Sequence, residues 1–156
     1  MRRVAVIALL VAASAFGQRA VDIKGSVGIT VFSEDDEHHL MTGASARFYL
    51  TRRLSIEPEF QYLYLSSRHH DLSFIPNIVF DFGGGRVVPY VTGGVGLIRT
   101  RHDFGHFVSG ETDPFVSLGG GVKVYVTENW FVAPDVRFGF APHWRLSAGI
   151  GYTWRR

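Results

Sequence analysis

The chain of 156 residues is long enough for one domain and a leader, and it carries 16 Lys and Arg against 14 Asp and Glu with no cysteine. Disulfide stapling is therefore excluded, and so is a nucleic-acid surface, which needs a clustered basic face. Eighteen glycines and 14% aromatic residues fit a sheet protein with close backbone approaches.

Met1-Arg2-Arg3 opens the chain, an apolar run from Val4 to Ala13 follows, and the small residues Ala13-Ser14-Ala15 close it. A basic start, a short apolar core and a small-residue end predict a secretory signal peptide over 1–17, cleaved after Ala15 or Gly17. The run is well short of the ~20 apolar residues of a spanning helix. Loss of Arg2 and Arg3 leaves 14 basic residues against 14 acidic ones, so the basic balance of the whole chain says little about partners.

From Val21 to Phe32 the residues alternate, with Val21, Ile23, Val27, Ile29 and Val31 on one face and Asp22, Lys24, Ser26, Gly28 and Thr30 on the other. Strand side chains alternate between faces, so a sustained period of two predicts a strand. The acidic run Glu34-Asp35-Asp36-Glu37 then reads as a loop. Further strands are predicted over Leu40–Leu50, Leu54–Leu65, Asp71–Phe82 and Val87–Arg99, with short turns at Thr51-Arg52-Arg53 and Gly83-Gly84-Gly85-Arg86. A longer connection is predicted from Thr100 to Asp113. Three more alternating passes begin near Phe115, Trp130 and Trp144 and end at Trp154, joined at Glu128-Asn129 and Ala141-Pro142-His143.

Each pass is close to the ~9 to 11 residues that a tilted strand needs to cross a bilayer. Turns after strands two, four and six are short, and connections after one, three and five are longer or charged. That rhythm predicts an all-β fold, an eight-stranded antiparallel up-and-down transmembrane β-barrel over 18–156. Pro58, Pro76 and Pro134 fall in mid-strand, where a missing N–H interrupts the ladder, so local bulges are predicted there.

Which face meets lipid follows from the residue types. The non-aliphatic face is small or polar, with inward charges of both signs: Lys24, Arg47, Lys123, Arg137 and Arg145 against Asp22, Glu57, Glu59, Asp81 and Asp135. Small residues suit a narrow interior, and charges buried there need partners. The expectation is a lumen plugged by a charge network built from Lys24, Arg47, Glu57, Glu59, Lys123, Asp135, Arg137 and Arg145. Phe48, Phe82, Trp130 and Trp154 near the turn end, with Tyr64, Phe140 and Trp144 near the loop end, are placed as two interfacial girdles. The alternative is a soluble, secreted, lipocalin-like barrel with its aliphatic face inward around an apolar ligand.

Val88-Pro89-Tyr90-Val91-Thr92-Gly93-Gly94-Val95-Gly96, Leu118-Gly119-Gly120-Gly121-Val122 and the turn Val126-Thr127-Glu128-Asn129-Trp130 carry a further indication. Through them the chain from Ala20 to Trp154 resembles the outer-membrane β-barrel domain family, the small eight-stranded OmpA/OmpX-type barrels. The resemblance implies insertion into the outer membrane by the barrel assembly machinery, which reads an aromatic-rich final strand. Here Trp154 is followed by Arg155-Arg156, whereas the family usually ends on the aromatic itself. The partners expected are outer-membrane lipid and that machinery, with a monomeric barrel and no cofactor.

All seven histidines fall on the loop side, and His38, His39, His69, His70, His102 and His106 stand near acidic residues. Imidazole and carboxylate suit a divalent metal, yet no spacing matches a dedicated motif, so solvated loops are the expected reading. A lipid-modifying enzyme at the outer rim would draw on His102, Asp103 and Ser109. No nucleophile, base and orienting group form a recognisable set, so a non-enzymatic barrel with a structural or surface-interaction role is expected.

Overall fold

The computed structural model describes residues 20–32, 38–66, 69–103, 108–139 and 143–154. The predicted leader over 1–17 and the terminal Arg155-Arg156 lie outside the described residues. Eight strands follow in chain order: β1 (Val21–Phe32), β2 (His38–Tyr49), β3 (Leu54–Ser66), β4 (His69–Asp81), β5 (Val87–Asp103), β6 (Val108–Tyr125), β7 (Trp130–Gly139) and β8 (His143–Trp154). Each pairs antiparallel with its neighbours in sequence, and β1 with β8 closes the barrel.

The register can be followed once round the wall. From Leu97 on β5 it runs through Phe74, Phe60, Ala44, Gly25, Ile150, Val132 and Val124 to Val87, also on β5 and ten residues from the start. Eight strands with a stagger of ten tilt at about 40° to the axis and leave an interior that side chains fill. At that tilt the outward row from Trp144 to Trp154 rises about 25 Å, the height of a lipid-facing apolar band.

The aliphatic face points outward. Val27, Ile78, Phe138 and Ile150 are 60 to 63% exposed, whereas Asp22, Glu57, Glu59 and Arg137 are no more than 2% exposed. A soluble barrel around an apolar ligand requires the opposite assignment. Phe48, Phe82, Trp130 and Trp154 are exposed at the turn end, where Trp130 packs edge-on against Tyr152 at 5.3 Å. Tyr64 and Trp144 are exposed at the loop end, and Phe140 lies outside the described residues.

Two expectations need correction. The predicted connection from Thr100 to Asp113 is largely strand: the β5–β6 ladder continues through Ile98↔Asp113, Thr100↔Glu111 and His102↔Ser109 to Asp103↔Val108. Arg99, Arg101, Asp103, Glu111 and Asp113 hide the alternation because beyond the bilayer neither face needs to be apolar. For the same reason β2 and β4 start at His38 and His69, ahead of the predicted Leu40 and Asp71.

The prolines, secondly, sit in an unshifted register and make no bulge. Pro58 and Pro76 face each other across β3 and β4, and Pro134 faces Ala148. On its other side each proline coincides with a gap in the ladder, between Ser45↔Glu59 and Phe48↔Ile56, between Phe74↔Leu97 and Asn77↔Gly94, and between Gly121↔Asp135 and Val124↔Val132. An antiparallel residue points its N–H at one neighbour only, so a proline removes one bond without adding a residue. The one register shift in these ladders falls between Tyr64 and Ser66.

Candidate functional site in the lumen

β3 supplies the axis of the interior, because its inward residues Glu57 and Glu59 are successive positions on one face of a strand. Glu57 takes Lys24 at 2.8 Å, Arg47 Nε at 2.7 Å and the Ser45 hydroxyl at 2.7 Å. Arg47 continues to Asp81 Oδ1 at 3.2 Å and lies over the Tyr90 ring at 4.8 Å. Glu59 takes Arg137 Nη1 at 2.7 Å, Asn77 Nδ2 at 3.1 Å and Arg145 Nη2 at 3.3 Å.

Arg137 also meets Asp135 Oδ2 at 3.1 Å, and Asp135 accepts from the hydroxyls of Ser147 and Tyr90. Nearer the short turns, Lys123 donates to Asp22 at 2.8 Å and to the Tyr49 hydroxyl. Its ammonium is ringed by Tyr49, Tyr125 and Phe131 at 5.1 to 5.3 Å from their centroids. All eight residues of the expected network are thus buried and in ion pairs, together with Asp22 and Asp81. Among the described residues, five cations meet five anions inside the wall.

Glycine makes room for them. A Cβ on Gly119 would meet Arg137 Cγ at 2.6 Å, and one on Gly121 would meet Asp135 Cβ and the Tyr90 hydroxyl at 2.7 Å. Neither has a positive φ, so the requirement is space. Tyr49, Tyr90, Asn77, Ser45 and Ser147 join the network although the sequence reading did not assign them to it. Their signal is strand parity, since each occupies an inward position. Asp22 Oδ1, Gln61 Nε2, Ser73 Oγ, Thr92 Oγ1 and Arg145 Nε are buried without a hydrogen-bond partner among the described residues.

His38, His39, His69, His70, His102 and His143 fall in strands. His39 is buried opposite Thr30, and the register sets His69 against His102. The side chains of His38, His69, His70 and His102 lie outside the described residues, as does the whole of His106. Among the described residues no group of three His, Asp or Glu is placed to hold a metal ion. The ladder pairs His102 with Ser109 and Asp103 with Val108, and the side chains of these enzyme candidates lie outside the described residues.

A family model described as outer membrane protein beta-barrel domain matches residues 4–156. No curated protein matches the chain. Among solved structures, the N-terminal β-barrel domain of Pseudomonas aeruginosa OprF is similar at 19% identity and a TM-score of 0.73, covering 88% of this chain and 98% of that one. Neisserial surface protein A is similar at 19% identity and a TM-score of 0.70, covering 85% and 95%. The outer membrane enzyme PagL shares the fold at 20% identity and a TM-score of 0.52, covering 86% and 99%.

Proposed function

Because the chain belongs to the outer membrane protein beta-barrel domain family, we propose that it is a non-enzymatic, non-conducting barrel with a structural or surface-interaction role. Its leader is removed on export, the barrel assembly machinery inserts it, and it stands as a monomer in outer-membrane lipid. The observation that carries the reading is the paired interior: Arg137 and Arg145 reach from β7 and β8 to Glu59 on β3, so ion pairs join separated parts of the wall. An eight-stranded interior is just wide enough for such side chains, and paired charges held by several hydrogen bonds have little reason to part.

Planar-bilayer recording of the refolded barrel tests this. The expected trace is flat at both polarities. Steady single-channel conductance overturns the closed lumen, and ester or acyl-chain turnover by the purified barrel overturns the non-enzymatic role.

A further inference from the structure

The ion pairs stop short of the mouth at the short-turn end. Between them and the turns lies a cavity of about 550 Å³ whose wall includes Tyr49, Arg52, Asp81, Lys123, Tyr125 and the turn Gly83–Gly85. That size is within the ~300 to 1,000 Å³ of small-molecule sites. In a barrel of this family the short turns face the periplasm.

The wall is rich in donors. Lys123 borders the cavity and donates to Asp22 and the Tyr49 hydroxyl, two of the three hydrogen bonds an ammonium can make. Arg52 is exposed and has no hydrogen bond or ion pair among the described residues. A Cβ built on Gly83, Gly84 or Gly85 meets nothing within 4 Å, so a ligand can approach that backbone closely. Asp81 is the one acidic residue of the wall, and its Oδ1 is already held by Arg47 at 3.2 Å. Arg53 and Arg86 are exposed on the neighbouring turns, against one exposed acid among the described residues there, Glu128. Val88 and the rings of Tyr49 and Tyr125 supply an apolar side.

We propose that this vestibule binds a small organic anion, its acid group held by Lys123 and Arg52 and its body lying against Val88 and Tyr125. A charged acceptor strengthens each N–H contact it receives, and partial enclosure weakens screening by water. The acid group belongs either to a soluble molecule or to the head of an anionic lipid. The site does not require the lumen beyond Lys123 to be closed, so it stands or falls separately from the proposed function.

Titration of the isotope-labelled, refolded full chain in zwitterionic micelles, followed by amide NMR, tests the site with benzoate as probe and benzylamine as its charge-reversed control. Benzoate is expected to shift the Gly83–Gly85 and Tyr125 amides saturably, and benzylamine to leave them in place. Arg52→Ser, at an exposed turn position, is expected to weaken benzoate binding about fivefold or more while keeping the rest of the spectrum. Phosphatidylglycerol added to the micelles identifies the source: competition with benzoate assigns a lipid head, and unchanged benzoate binding assigns a soluble anion. No saturable shift, equal binding of benzylamine, or unchanged affinity in Arg52→Ser overturns the proposal.

Discussion

Replacing Glu59 by Gln keeps the shape of the side chain and removes its charge. Glu59 is 2% exposed and holds Arg137 at 2.7 Å, Asn77 at 3.1 Å and Arg145 at 3.3 Å. After the substitution two guanidinium groups share one nearby carboxylate, Asp135, which Arg137 already holds at 3.1 Å. Removing one partner of a buried pair costs ~3 to 5 kcal/mol, and the contact retained by Arg137 sets the expectation near the low end, about 3 kcal/mol. Arg145→Met is the contrasting variant. Glu59 is the one ion partner of Arg145 among the described residues, its Nε has no partner, and its cross-strand neighbour is Arg137. Its loss should cost less than about 1 kcal/mol, because Glu59 keeps two donors and a like-charge opposition disappears. The double variant should recover part of the Glu59→Gln cost, a coupling that a double-mutant cycle measures. Urea unfolding in lipid vesicles, followed by tryptophan fluorescence and by heat-modifiable gel mobility, supplies the values. The reasoning is refuted if Glu59→Gln costs under ~1 kcal/mol, as an exposed pair would, or if Arg145→Met costs as much as Glu59→Gln.

Three further outcomes follow from the wall. Val27, halfway along β1 and 60% exposed, should tolerate Arg poorly, losing about 2 to 4 kcal/mol in vesicles as a charge at mid-membrane does; an undiminished unfolding midpoint counts against the lipid assignment. Gly121→Val should cost about 1 to 3 kcal/mol in the same assay, because its side chain enters space held by Asp135 and Tyr90. Pro76→Ala should leave the register unchanged and add a protected amide towards β5, read by hydrogen exchange; a fast-exchanging amide at residue 76 contradicts the gap assigned to the missing N–H.

Much of the wall was legible in the sequence. Alternation of two is a local property, so Trp130–Gly139 shows its faces residue by residue, and the observed exposure follows the same alternation up to Phe138. The expectation failed where the local signal loses its cause. From Thr100 to Asp113 lipid no longer selects for an apolar face, and charged residues continue a ladder that looks like a loop. At the prolines the error had another source. A residue lacking its N–H looked incompatible with a closed wall, but the effect is confined to one ladder position because the bond it lacks belongs to one neighbour alone.

The sequence by itself therefore determined the number of strands, the turns at one end and which residues face inward, including both glutamates of β3. Only the tertiary structure decided which charges meet. Arg137 and Glu59 are 78 residues apart, and nothing local links them. Their contact depends on a stagger of ten accumulated through eight pairings, each fixed by the strands beside it. A strand's parity is set by its own residues, whereas the height at which two side chains cross the lumen is a property of the closed ring.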